Sequence, residues 1–294
     1  MKTLLLGALG CVAVVYLAAW LGAMKRAPGD LGAPTWLQSA IGFVTNFFDT
    51  LGIGSFATTT ALFRMGRVVP VERIPGTLNV GHSLPAIAQA FIFIVIIEVD
   101  AATLAVLIAS ASLGAWLGSG VVAGWPRRKI QIGMGLALLV ASCLLAAANL
   151  HLVPAGGAAL ALRGTPLILA TLGNFMLGAL MTLGIGLYAP CLIMLSLFGM
   201  NPQAVFPIMM GSCAFLMPTA SIRFIREGAY TLRPALGLAI AGVPAVLIAA
   251  FLVKSLPLTT LRWLVTAVVL YTAVTMLAAT VRESGKKPLQ RKAS

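Results

Sequence analysis

Apolar runs long enough to cross a bilayer follow one another along almost the whole chain, and this leaves few folds open to it. Runs of about 18 residues or more, enough to span the hydrocarbon core, lie near Thr3–Met24, Gly76–Ile97, Ala101–Gly124, Ile130–Leu150, Ala204–Ile222, Leu232–Val253 and Leu264–Val281. Two more, Trp36–Phe63 and Leu167–Gly199, are longer still. Charged residues make up only 9% of the chain, against roughly 25% in a soluble domain. An all-α polytopic membrane protein is expected, with no soluble domain left over. The first run is long for the apolar core of a signal peptide and reads as a retained helix.

The formal net charge is +13, but the basic residues sit in the loops between apolar runs. That pattern argues for membrane orientation and against nucleic-acid binding, with acidic phospholipid headgroups as the expected partner. The cysteines Cys11, Cys143, Cys191 and Cys213 all fall inside apolar runs without metal-finger spacing, and only His82 and His151 could add ligands. No metal and no cofactor are expected. No GxxxxGK[ST] motif occurs, so ATP drive within this chain is not expected either.

The sequence TLGIG stands at Thr50–Gly54 and again at Thr182–Gly186, inside the two longest runs. Glycine within a helix costs about 1 kcal/mol relative to alanine, so a doubled pair at a repeated place points to a device. Sliding the chain by 132 residues, the distance from Thr50 to Thr182, also pairs Phe43 with Phe175, Ala57 with Ala189, Pro70 with Pro202, Pro75 with Pro207 and Leu84 with Leu216. The chain thus reads as an extra N-terminal helix and loop (1–35), a first repeat (36–150), a linker (151–165), a second repeat (166–281) and a basic tail (282–294).

Charge decides how the TLGIG segments are threaded. If each crossed the membrane once, the basic residues would divide almost evenly between the two sides. If each enters, turns at TLGIG and leaves by the same face, one side collects Lys25, Arg26, Arg64, Arg67, Arg73, Arg127, Arg128, Lys129, Arg223, Arg226, Arg233, Arg282, Lys286, Lys287, Arg291 and Lys292. The other keeps Lys2, Arg163, Lys254 and Arg262. Sixteen of twenty on one side is the bias the positive-inside rule expects. The expected topology is seven transmembrane helices plus two re-entrant helical hairpins in two inverted-topology repeats, N-terminus outside and C-terminus cytoplasmic. Each hairpin arm would be about 12 residues, or ~18 Å, and would reach past the midplane.

A helix broken at that depth exposes backbone groups that must be buried in protein or line a cavity. The arms after the turns begin near Ser55 and Leu187, and helix N-termini attract anions. A midplane anion site between the two tips is therefore expected. Its contributors would be the backbones of Gly52, Gly54, Gly184 and Gly186, the hydroxyls of Ser55, Thr58 and Thr59, and the Tyr188 phenol. Asn79, His82, Ala86 and Gln89 fall on one helical stripe, with Asn79 as a further binding residue and His82 and Gln89 on a proton or substrate pathway. Asp49 is the only acid well inside an apolar run, and its counterpart in the second half is Met181. An ionised Asp49 would repel an anion and a protonated one would not, which suggests proton coupling. The alternative is that Asp49 pairs with an Arg or caps the broken helix.

The stretches NFFDTLGIGSFATTTALF and IPGTLNVGHSLPAIAQAFIF, together with the chain's size and its paired glycine motifs, resemble the sulfite exporter TauE/SafE family of bacterial permeases. The resemblance covers essentially the whole chain. It implies a multi-pass permease of the bacterial inner membrane that moves a small sulfur-containing anion such as sulfite, an organosulfonate or thiosulfate. A secondary transporter is thus the leading expectation, and an anion channel or facilitator is the alternative. No nucleophile–base pair or metal cluster stands out at membrane depth, so an enzyme is not expected. A reporter fused at Arg127 or at the C-terminus should register the cytoplasm, and one near Arg163 the outside. A cytoplasmic signal from Arg163 would overturn the threading.

Overall fold

The computed structural model describes residues 2–26, 32–52, 54–122, 156–182 and 186–252, with isolated positions between 126 and 152 and between 263 and 278. Its described residues are predominantly helical. The helices are α1 (Lys2–Arg26), α2 (Trp36–Thr50), α3 (Ser55–Met65), α4 (Ile74–Ile96), α5 (Ala101–Val122), α6 (Gly164–Met181), α7 (Tyr188–Leu197), α8 (Pro202–Arg226) and α9 (Leu232–Leu252), with one 3-10 turn at Val71–Arg73. The spans expected over 130–150 and 264–281 fall outside the described residues except for isolated helical positions. So do His151 and 153–155 of the linker, and the tail 282–294.

Six of these helices are long and apolar enough to cross a membrane: α1, α4, α5, α6, α8 and α9. Large apolar side chains such as Val14, Val95, Trp116, Ile168, Ile240 and Phe251 lie on their exposed faces, while Asn46, Asp49, His82, Gln89 and Asn174 are buried. A soluble protein reverses that arrangement, and so wide an apolar surface in water would drive aggregation. In lipid it is the ordinary state, with polar groups turned inward. The chain is an all-α, multi-pass membrane protein.

Local chemistry sets the helix limits. Thr35 and Gln38 form a reciprocal capping box at the start of α2. The interruption after Thr50 follows from Gly52 and Gly54, whose φ values of +85° and +88° lie in the left-handed region that residues with a Cβ resist. Pro75 and Pro202 sit in the first turns of α4 and α8, where the missing N–H costs nothing. Asp100 precedes α5 and accepts hydrogen bonds from the Thr103 amide and hydroxyl, each at 2.8 Å.

Contacts between named residues fix the direction of each helix. Asn46 meets His82, and further along Asp49 and Thr50 meet Gln89, so α2 and α4 run parallel. Thr59 also meets His82, while Ser55 lies back at the level of Asp49, so α3 doubles back between them. The second TLGIG segment does the same. Arg163 meets Asp100, Asn174 meets the Leu107 carbonyl, and Gly178 abuts Ala111, so α6 runs parallel to α5. α7 then returns until Met200 and Asn201 bond the backbone of Gly157 and Ala159, just before α6 begins. Between the two sets the direction reverses: Phe93 stacks on Phe206 and Ser83 meets Ser221, which makes α4 and α8 antiparallel. The arms are unequal, with 15 and 18 residues in α2 and α6 but 11 and 10 in α3 and α7. Equal arms of about 12 were expected; the first arms grow longer because each lies along a full-length helix.

Those long partners are α9 for α2 and α5 for α6. Both pairs close through glycine. A Cβ on Gly42 would stand 2.5 Å from the Gly237 carbonyl oxygen, and one on Gly178 would overlap the carbonyl of Ala111. Backbones this close gain the dispersion contacts that hold helices together in lipid. Lys25, Arg26, Arg64, Arg67, Arg73, Arg223, Arg226 and Arg233 lie at the end of the bundle where α2 starts, and Lys2 and Arg163 at the other.

Asp100 gives a test outside the bilayer. The Thr103 amide and hydroxyl beside it, helped by Arg163, hold its carboxyl below the usual carboxylate range. A depressed folded value means the stabilisation is present above the unfolded pKa near ~4 and is lost as pH falls through the lower folded value. Asp100→Ala should cost about 1 kcal/mol, the usual worth of an N-cap. That deficit, read as a lowered unfolding midpoint in detergent, should shrink on acidification below about pH 4.

Candidate functional site

The two interruptions meet at the centre of the molecule. A methyl carbon placed on Gly54 would lie 3.7 Å from Tyr188 Cβ, and one on Gly186 would lie 3.8 Å from Phe56 Cβ. These contacts exchange under the 132-residue shift, which carries Gly54 to Gly186 and Phe56 to Tyr188. The starts of α3 and α7 therefore face each other, and both present N–H groups that no intrahelical carbonyl can satisfy. Gly52 lies against the Phe206 ring, which closes that side of the tip. Gly184 lies outside the described residues.

A chain of polar side chains runs between the tips. The Tyr188 hydroxyl donates to Gln89 Oε1 at 2.7 Å, and Gln89 Nε2 donates to Asp49 Oδ2 at 2.9 Å and to Thr50 Oγ1 at 3.0 Å. Gln89 comes from α4, Asp49 and Thr50 from the last turn of α2, and Tyr188 from the first turn of α7. Asp49 also lies within electrostatic reach of the Ser55 amide and hydroxyl, and that hydroxyl makes no formed hydrogen bond. Asp49, Ser55 and Tyr188 are each 2% exposed and Gln89 is fully buried, so water does not reach them in this conformation. The ion pairs among the described residues, Arg163–Asp100 and Arg223–Glu227, do not involve Asp49.

The other residues singled out by sequence do different work. Thr58 bonds back to the Ser55 carbonyl at 2.9 Å, which occupies its hydroxyl hydrogen. His82 bridges Asn46 Oδ1 at 2.9 Å and Thr59 Oγ1 at 3.0 Å. The Asn46 amide nitrogen already donates to the Gly42 and Leu238 carbonyls. Its Oδ1 can only accept, so His82 Nδ1 carries the proton and Nε2 accepts from Thr59. One imidazole thus ties α2, α3 and α4 together a turn or two away from the tip. Asn79 is further off, bonded to the Pro75 carbonyl at 2.8 Å with its Oδ1 unpartnered. It shares a stripe with His82 and Gln89 but not a site.

Sequence reasoning passed over Asn46 and Asn174. Each buries its amide against the carbonyl of a leucine on the neighbouring long helix, Leu238 for Asn46 and Leu107 for Asn174. The signal was present in Asn46, which lies one turn before Asp49 and Thr50 on the same face of α2. Asn174 adds a 3.1 Å bond to Ser212, which serves on α8 where His82 serves on α4.

No protein-family model matches the chain, and no curated protein matches it.

The network makes His82 structural in its first effect. His82→Ala leaves Asn46 Oδ1 and the Thr59 hydroxyl unpaired in the interior, at about 1–3 kcal/mol for each buried group so orphaned. The unfolding midpoint in detergent should fall clearly. An unchanged midpoint would mean that the bridge contributes nothing.

Proposed function

We propose that the chain is a secondary transporter of a small oxyanion, bound between the facing starts of α3 and α7. The observation that carries this reading is the reciprocal meeting of the tips, Gly54 against Tyr188 and Gly186 against Phe56. Two helix starts that face each other concentrate partial positive charge and N–H donors at one place inside the protein. The second TLGIG segment and its neighbours run opposite to the first set, which supports two inverted-topology repeats over 36–150 and 166–281, with the segments outside the described residues completing seven spans. The basic end of the bundle supports a cytoplasmic entry for the first hairpin and an outer position for the N-terminus.

The resemblance to the sulfite exporter TauE/SafE family supplies the substrate class: sulfite, an organosulfonate or thiosulfate, moved across a bacterial inner membrane. Asp49 is the natural proton carrier in such a cycle. Transport fits better than a channel, because a conducting pore keeps its polar lining wet and these groups are sealed from water. Substrate access then requires the tips to part, first toward one face and then toward the other.

Flux in proteoliposomes tests the reading, with sulfite, thiosulfate, taurine, sulfoacetate and a carboxylate control, each with and without a pH gradient. Saturable sulfur-anion flux that trades against unlabelled anion is expected, and Gly54→Val should abolish it by forcing a branched residue into a left-handed backbone. Flux that fails to saturate would favour the channel, and none at all would remove the substrate class.

A further inference from the structure

The first tip already holds an acidic group, and it is the protein's own. Asp49 lies in the last turn of α2, at a helix C-terminus, the end that disfavours negative charge. Across the turn its carboxyl lies within electrostatic reach of Ser55, the first residue of α3, where a helix start favours negative charge, and also of the Tyr188 hydroxyl on α7. The Ser55 hydroxyl is buried and makes no formed hydrogen bond, which leaves it a spare donor at the start of α3. Gln89 Nε2 supplies a further donor at 2.9 Å. Among the described residues the second tip has no such occupant. Met181 stands in the equivalent position, and its Sδ lies 3.7 Å from Cys213 Sγ. The two hairpins are therefore unequal: the first supplies a carboxyl at its tip, and the second has Met181 in its place.

We propose that ionised Asp49 competes with the substrate for the donors at the start of α3, and that a proton taken up by Asp49 is what lets the substrate anion replace it. This rests on the anion-transport reading above and specifies how its site is loaded. Before loading, the site holds one negative charge, on Asp49. The proton neutralises that charge and a monovalent anion brings one in its place, so one proton enters with one anion and the net charge of the site does not change. Release reverses both. Gln89 carries the change to the other tip, because its Nε2 holds Asp49 while its Oε1 holds Tyr188. A neutral carboxyl accepts a weaker bond than a carboxylate, which loosens the amide that joins the two hairpins.

The titratable groups near Asp49 are few. α7 contributes Tyr188 and Cys191, α8 contributes Cys213, and α4 contributes His82, whose two nitrogens are engaged by Asn46 and Thr59. Neither α3 nor α9 offers a titratable side chain at the level of the tip. Asp49 is the only acid among them.

The experiment uses the full-length protein with methanesulfonate and thiosulfate, which stay ionised throughout the accessible pH range. Binding is followed by calorimetry in detergent, and flux in proteoliposomes whose potential is clamped with potassium and valinomycin. In the wild type, the dissociation constant for methanesulfonate should rise about tenfold per pH unit once Asp49 is ionised. Binding should take up one proton, and methanesulfonate flux should ignore the imposed potential. Asp49→Asn should bind with no pH slope, about tenfold or more tighter than the wild type at alkaline pH, and its flux should become driven by potential. A wild-type affinity that is flat with pH overturns the proposal, as does a variant that keeps the wild-type slope. If Asp49→Asn does not fold, the wild-type slope and proton uptake decide alone. Wild type that binds neither these anions nor any of the flux panel overturns the transport reading along with this one, a result distinct from binding that ignores pH.

Discussion

The centre of this structure answers to one requirement: a helix that stops in a buried apolar interior must find partners for its end groups. An unsatisfied backbone group in hydrocarbon costs several kcal/mol, and lipid offers no water to relieve it. Two helices stop here, and the resolution is to bring their broken ends together and surround them with protein. Asp49, Thr50, Gln89 and Tyr188 form the polar bridge that makes the arrangement tolerable. The full-length helices α4 and α8 cross beside it in opposite directions and shield it from lipid.

The support for that centre is graded. Glycine-mediated close contact fastens α2 to α9 and α6 to α5. The returning arms are shorter: α3 leans on both α2 and α4, and α7 mainly on α8. His82 is the exception, because it holds α3 to both α2 and α4 through a pair of well-formed hydrogen bonds. The second hairpin relies on Asn174 and Ser212 for the corresponding join, and these leave α7 out. The two hairpins are thus related in shape and different in how firmly each tip is held.

Much of the helical layout was legible in the sequence, since apolar length and positive φ at paired glycines are local properties. The doubling back of α2 into α3 was legible as well, through the charge count, because the positive-inside bias reports which loops share a side. What stayed hidden was pairing across long separations. Asn46 and Leu238 are 192 positions apart, and Gln89 and Tyr188 are 99 apart. Hydropathy carries no information on which carbonyl an amide will reach. Asn79 shows the converse failure: periodicity put it on the same stripe as Gln89, but a stripe on a helix of 23 residues extends well beyond any one site. The extra length of α6 went unseen for the same reason, since only its packing on α5 explains where it begins.

The welding of α2 to α9 and of α6 to α5 has a consequence for how the protein is made. Each entering arm belongs by sequence to one half and by contact to the other. During synthesis α2 emerges as a 15-residue segment, too short to span a bilayer comfortably alone, and its Gly237 partner surface does not exist until nearly the whole chain has left the ribosome. The first hairpin must therefore wait at the insertion machinery, or be held by a chaperone of the membrane, through the birth of every helix between them. Assembly of the first hairpin waits on α9, the last long helix among the described residues, and a ribosome that stalls before α9 would strand a broken helix in lipid with its donors unmet.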